Sequence, residues 1–162
     1  MRNTNPCSDK LSHRLLEFAP LWTTASSNWL QKVQNIAARI ISKQRKFDHI
    51  TPVLKSLHWL RVEHRILFKL LMITVKAIHG IAPIYLSDLI RVNEQKRSLR
   101  QNNRMKVLSV PRFNTATYER KAFVNAAPTE WNKLPENIRT ITEFWAFKRE
   151  LKTFLFKVPY NC

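Results

Sequence analysis

Glycine occurs once in the 162 residues, at Gly80. A chain this poor in glycine cannot build the loops that bring backbone amides against phosphate, which excludes both the P-loop and the dinucleotide-binding fingerprint. Acid is scarce as well: 11 Asp plus Glu face 28 Lys plus Arg, a formal net charge of +17. The only aspartates are Asp9, Asp48 and Asp88, far apart and in different predicted elements. Two-metal phosphoryl transfer needs carboxylates clustered tightly enough to hold cations about 3.5–4 Å apart, and no such cluster is proposed by this spacing. Cys7 and Cys162, the two cysteines, supply neither a disulfide framework nor a metal quartet, so a reducing compartment is the default. The longest apolar stretch, 66–78, is broken by Lys69 and Lys76, and Met1 to Lys10 lacks an apolar signal-peptide core. No membrane insertion is expected, and the chain reads as intracellular, in nucleus or cytoplasm.

The apolar inventory is that of a folded protein. Hydrophobic residues make up 44% of the chain, with nine Phe, five Trp and three Tyr, too many for a disordered basic tail. The length suits one domain. Residues 1–27 show no convincing periodicity and read as a poorly ordered lead-in. From there Leu30, Val33, Ala37, Ile40 and Ile41 recur at helical spacing and predict a first helix over 29–43 with that stripe buried. Thr51-Pro52 predicts an N-cap and first position of a short helix through Leu60, with Leu54 and Leu57 inward. A third helix is predicted over 61–79, closed by Gly80. Its apolar residues Val62, Ile66, Leu67, Leu70, Leu71, Ile73, Ala77 and Ile78 cover more than half the circumference, marking it as central to the core. Ala82-Pro83 restarts a short helix to Ile90 with Tyr85, Leu86 and Leu89 on one side. Residues 91–104 are polar and basic and read as an exposed loop. A weak strand over 105–110 is expected to pair with 116–118. Then come a helix over 118–127, a turn over 128–134, and a final helix capped by Thr142. That helix buries Phe144, Phe147, Leu151, Phe154 and Leu155 and turns Lys148, Arg149 and Lys152 outward.

Titratable residues do not assemble into a recognisable catalytic pattern. His58 and His64 are six residues apart, so about 240° separates them on a helix and they cannot share a zinc-binding face. His49 and His79 read as capping or packing residues. Trp59, Trp131 and Trp145 lie in apolar context and read as core rather than as stacking platforms for bases. No metal site, no cofactor and no enzymatic activity is expected.

The basic residues are better organised. Between Glu94 and Glu119 there is no acid, and Lys96, Arg97, Arg100, Arg104, Lys106 and Arg112 accumulate. Such a segment can track a phosphate backbone and release its condensed counterions. On the third helix Arg61, Arg65, Lys69 and Lys76 fall within an arc of about 80°, which Met72 and His79 share. Arg39, Lys43, Arg45 and Lys46 form a third cluster where the first helix ends, and cations there also complement the helix dipole. Any one cluster is what a solvated surface normally carries; three in a chain at +17 point to a nucleic-acid partner.

Several runs carry a resemblance. Leu30-Gln31-Lys32-Val33-Gln34-Asn35-Ile36-Ala37-Ala38-Arg39, Asp48-His49-Ile50-Thr51-Pro52-Val53-Leu54 and Leu57-His58-Trp59-Leu60 open it. Lys76-Ala77-Ile78-His79-Gly80-Ile81-Ala82-Pro83 and Ala126-Ala127-Pro128-Thr129-Glu130-Trp131-Asn132-Lys133-Leu134-Pro135 continue it in order. Over residues 28–157 the chain resembles the C-terminal region of the reverse transcriptase polyprotein of LINE-type (non-long-terminal-repeat) retrotransposons. In that family the polymerase palm and its metal-binding aspartates lie upstream, so the resemblance implies a domain beyond the palm that helps to hold RNA or DNA, with no catalytic residue to carry over. Arg61 stands where the family usually has proline, which predicts that the second and third helices run closer to continuous. Glu119 stands where glycine is usual.

The expectation is a mainly α, irregular helical domain over 28–157 with about five to seven helices, at most one small β hairpin, and a short tail over 158–162. Two functional readings stay open. One is a sequence-tolerant RNA- or DNA-binding module. The other is an inactive structural remnant whose apolar faces pack on an upstream polymerase domain.

Overall fold

A computed structural model of the chain describes residues 24–93, 107–112 and 122–160. Among them are seven helices: α1 (Thr24–Ser42), α2 (Ile50–Ser56), α3 (Val62–Ile78), α4 (Ile84–Ser87), α5 (Phe123–Lys133), α6 (Glu136–Arg139) and α7 (Phe144–Tyr160). The protein is mainly helical, as composition and periodicity predict. The described residues hold no strand; the nearest approach is an antiparallel bridge between Val92 and Leu108, flanked by Asn93 N–H donating to Val107 O (2.9 Å) and Ser109 N–H donating to Arg91 O (2.8 Å). Leu108 thus bridges to Val92; Met105 and Lys106, the expected partner 116–118 and Glu119 lie outside the described residues.

The chain divides into two compact units, one comprising Met1–Ile66 with Thr153–Cys162 and the other Leu67–Lys152. In the first, α1 packs on α2, and Ala38, Val53, Leu54 and Tyr160 form a small core with Ile50, Leu57, Trp59 and Phe156 against it. The expected burial of α1 is reversed. Leu30 (52% exposed), Val33, Ile40 (73%) and Ile41 face outward with Trp29 and Ile36, while Ser27, Gln34 and Ala38 are buried. Side-chain hydrogen bonding accounts for this. The bend after α2 leaves backbone groups that need partners. Gln34 Nε2 donates to Leu60 O (2.8 Å), and Gln31 Oε1 accepts from Val62 N–H (2.9 Å). The amide face of α1 is therefore the one turned inward.

Helix α2 starts one residue before the expected cap. His49 holds the N-cap position with extended backbone (φ −66°, ψ 124°) and no side-chain cap, and Pro52 sits third in the helix. Proline is tolerated there because the first turn's amides have no intrahelical acceptor in any case. The helices α2 and α3 are not continuous: residues 57–61 separate them, and His58 takes a left-handed φ of +52°.

Three helices close in one way. After α3, Ile81 N–H donates to Lys76 O (2.9 Å) and Gly80 N–H to Ala77 O (3.2 Å), with Gly80 at φ +68°. After α2 the pair is Trp59 to Leu54 (2.9 Å) and His58 to Lys55 (3.1 Å); after α1 it is Gln44 to Arg39 (3.1 Å) and Lys43 to Ile40 (3.3 Å). This is the two-bond closure whose left-handed residue is usually glycine. With one glycine in the chain, His58 and Lys43 (φ +51°) take that backbone instead.

In the second unit Trp131, Phe147, Leu71, Leu108, Leu151 and Val75 are almost wholly buried, and the Trp131 and Phe147 rings stack at 5.7 Å. On α3 Leu70, Leu71 and Ala77 are buried as expected and Val62, Ile66, Leu67 and Ile78 are half-buried, but Met72, Thr74 and Val75 are buried too and Ile73 is exposed, so the inward face extends to one side of the expected one. Pro128, expected to start a turn, lies inside α5 and is buried; the helix begins later than expected, at Phe123 after Ala122. Tyr85 and Leu89 are exposed, leaving Leu86 as the half-buried residue of that trio. Helix α7 follows its expected stripe, with Phe147, Leu151 and Leu155 buried and Lys148, Arg149 and Lys152 outside, though its first helical residue is Phe144, so Glu143 and not Thr142 occupies the cap position. Trp145 is 66% exposed, contrary to its expected place in the core; its ring lies 5.0 Å from Lys148 Nζ.

Candidate nucleic-acid interface

Of the ten basic residues singled out from sequence, Lys96, Arg97, Arg100, Arg104 and Lys106 lie outside the described residues. The other five divide between the units. Arg61 and Arg65 belong to the first; Lys69, Lys76 and Arg112 belong to the second. None of the five has a carboxylate partner among the described residues.

In the first unit Arg65 is anchored by its Nε donating to Leu60 O (3.0 Å), with its guanidinium 5.9 Å from the centre of the Trp59 ring. Arg61 lies half-buried at the start of α3 and lines a pocket of about 160 Å³. Gln31, Asn35, Ile50, Thr51, Leu54, Pro159 and Tyr160 complete its wall. The Tyr160 hydroxyl donates to Trp59 O (2.7 Å), and burial pushes its pKa up while the Arg61 and Arg65 charges pull it down. The nearby His64 is buried, its Nδ1 has no partner, and burial, reinforced by the Arg61 charge, lowers its pKa to about 4. It is a neutral packing residue. The cluster at the end of α1 is drawn inward at one point, Arg39 Nη2 donating to Asp48 O (3.3 Å), and Lys46 lies 5.8 Å from the exposed Phe47 ring.

In the second unit Lys69, Lys76 and Arg112 are exposed, and Lys76 Nζ sits 5.5 Å from the Phe144 ring. Met72, which shares the basic arc of α3, is buried, so the arc is not a continuous wet strip. A larger cavity of about 380 Å³ is lined by Asp88, Leu89, Arg91, Ser109, Pro111 and Val124; its one carboxylate and one guanidinium leave it without a dominant charge. Glu130 is 1% exposed with neither carboxylate oxygen hydrogen-bonded. Lys133 Nζ is 3.6 Å away, an ion-pair distance too long for a hydrogen bond. Burial raises the Glu130 pKa to about 8, against the lowering pull of Lys133.

Among the described residues no three His, Cys, Asp or Glu side chains gather as metal ligands, and no helix is long and apolar enough to cross a membrane. The chain matches no protein-family model, no curated protein and no solved structure. Arg61 is legible in the sequence as a basic residue, but the residues beside it are not: Asn35, Thr51 and Tyr160 come from three other segments. The one local signal was the i, i+4 amide pair Gln31 and Asn35.

Proposed function

We propose that this chain is a non-catalytic domain, resembling the C-terminal region of retrotransposon reverse transcriptases, that binds RNA or DNA through backbone phosphates without reading sequence. The observation that supports it is a charge of +17 whose described members Arg61, Arg65, Lys69, Lys76 and Arg112 have no carboxylate to neutralise them. Fluorescence anisotropy with labelled single-stranded RNA and DNA of mixed sequence tests it. Affinity falls steeply with salt, and replacing Arg97, Arg100 and Arg104 by Gln flattens the plot of log affinity against log salt by about 2, at ~0.7 per lost contact on a single strand. Absent or salt-insensitive binding at low ionic strength overturns the proposal.

A second reading is favoured by a different observation. Trp29, Leu30, Val33, Ile36, Ile40 and Ile41 place a nearly charge-free apolar face of about 140° on the outside of α1. Contiguous exposed apolar surface of this kind commonly marks an interaction site. It supports packing on an upstream polymerase domain, with no activity alone. Under that reading the isolated chain self-associates or melts without cooperativity, and supplying the polymerase segment rescues it; a cooperative monomeric melt counts against it.

A further inference from the structure

The pocket under Arg61 is built from groups whose hydrogen-bonding capacity can be counted. Gln31 is held at both ends: its Nε2 donates to Asn35 Oδ1 (2.8 Å) and its Oε1 accepts from Val62 N–H. Asn35 Oδ1 already accepts one bond, and its NH₂, a two-proton donor, has no partner among the described residues. The Thr51 hydroxyl and the Arg61 guanidinium also have no partner among the described residues. The Tyr160 proton is committed to Trp59 O. Among the described residues no carboxylate lines the pocket. Among the described residues the wall thus carries three donors, one of them permanently charged, and no anion. At about 160 Å³ the pocket falls below the ~300–1,000 Å³ typical of small-molecule sites, so it admits one compact group rather than a nucleoside or a cofactor.

We infer that this pocket seats a single phosphate group of a bound RNA or DNA strand, with Arg61 supplying the charge and the Asn35 amide and Thr51 hydroxyl orienting its oxygens. The inference rests on the nucleic-acid reading for its source of phosphate, while the donor set itself does not. Guanidinium to phosphate is a charge-assisted pairing, stronger than neutral hydrogen bonds. A seat of this kind fixes register along a strand without specifying sequence.

Three variants that each change the net charge by −1 separate this seat from diffuse attraction: Arg61→Gln, Asn35→Asp and, as control, Lys152→Gln on the outer face of α7. Binding of a labelled single-stranded RNA is read by anisotropy across a salt series, with circular dichroism melts of every variant. The two pocket variants are expected to weaken binding about tenfold, and Arg61→Gln to reduce the salt slope by about 0.7, whereas Lys152→Gln stays within about twofold. Should Asn35→Asp unfold the chain, Thr51→Val removes one donor at an exposed position and is expected to cost about threefold. Equal losses in all variants overturn the pocket and leave general nucleic-acid binding standing. If the unmodified chain binds no RNA or DNA, line broadening of inorganic phosphate in ³¹P spectra decides the rest. Saturable broadening abolished by Asn35→Asp keeps a phosphate seat and overturns only its nucleic-acid source; no broadening overturns the seat as well.

Discussion

The two units bury polar groups in opposite ways. The first unit turns an amide face inward: Gln34 and Gln31 bond the backbone at Leu60 and Val62, and the apolar core beside them is small, with Ala38, Val53, Leu54 and Tyr160 at its centre. The second unit stacks Trp131 on Phe147 among buried leucines and, in the same interior, holds Glu130 with both oxygens unbonded. One unit bonds its inward amides to a bend and leaves its widest apolar face to solvent; the other packs larger side chains and, beside the two bonds of Asn132 to Leu108, holds a carboxyl whose pKa burial raises. Stability in the second therefore depends on shape and on Glu130 keeping its proton, and in the first on where side-chain amides reach and on His64 staying unprotonated.

The largest effect expected from this contrast is on packing. Trp131→Ala empties a site only 2% exposed and removes the stack on Phe147, which should cost about 3–5 kcal/mol. Among the described residues of the first unit no buried centre carries a side chain of that size except Tyr160, so Val53→Ala should cost about 1–3 kcal/mol. Denaturant melts of both variants check the order. A smaller loss from Trp131→Ala than from Val53→Ala would break the comparison.

Next in size is pH. Glu130 has its folded pKa raised to about 8 from 4.5, so the folded state binds the proton more tightly. Its stabilising contribution is complete below pH 4.5 and is lost as pH rises through 8. His64 is the reverse: its folded pKa is lowered to about 4 from 6.5, so its contribution is complete above pH 6.5 and is lost as pH falls through 4. The second unit is thus the base-sensitive one and the first the acid-sensitive one. Melting temperatures measured from pH 4 to 9 should show Glu130→Gln abolishing most of the decline on the alkaline side, and His64→Leu most of the decline on the acid side. Glu130→Gln leaving the alkaline limb unchanged would show that the carboxyl is not held neutral.

How much of this was legible in the residues is clearest from α1 and α7. Both carry apolar residues at helical spacing, and both are helices. Helix α7 buries its stripe at Phe147, Leu151 and Leu155; α1 exposes Leu30, Val33, Ile40 and Ile41. Periodicity reports that a face is apolar, not that anything covers it. The orientation of α1 was decided by Gln31 and Gln34, whose acceptor and donor partners lie about 26 to 31 residues away, a separation at which no local pattern signals contact. Pro128 misled for a related reason: its place in α5 depends on how deeply Ala126, Ala127 and Trp131 are buried, which spacing does not reveal. At the candidate site Arg61 was legible as a cation on a helix edge, whereas the pocket that gives it a role needed α1, α2 and the end of α7 brought together.

The smallest expected effects concern the helix ends, and here the scarcity of glycine separates the units again. Among the described residues the two non-glycine positions at left-handed φ, Lys43 and His58, close helices of the first unit, and Gly80 lies in the second. A side chain in that backbone region costs roughly 1–2 kcal/mol, partly offset because glycine loses more entropy on folding. Lys43 is exposed and its side chain has no partner among the described residues, so Lys43→Gly should gain about 0.5–1 kcal/mol. His58 should gain less from the same change, since its ring stacks on Phe156 at 5.6 Å with 13° between planes, a contact glycine cannot make. Gly80→Ala should lose about 1 kcal/mol through φ alone, because an added Cβ there would meet nothing within 4 Å. Chemical denaturation of the three variants gives the order directly. If Lys43→Gly destabilises, the left-handed closure of α1 carries no strain, and the first unit's helix ends are no more strained than the glycine-closed end of the second.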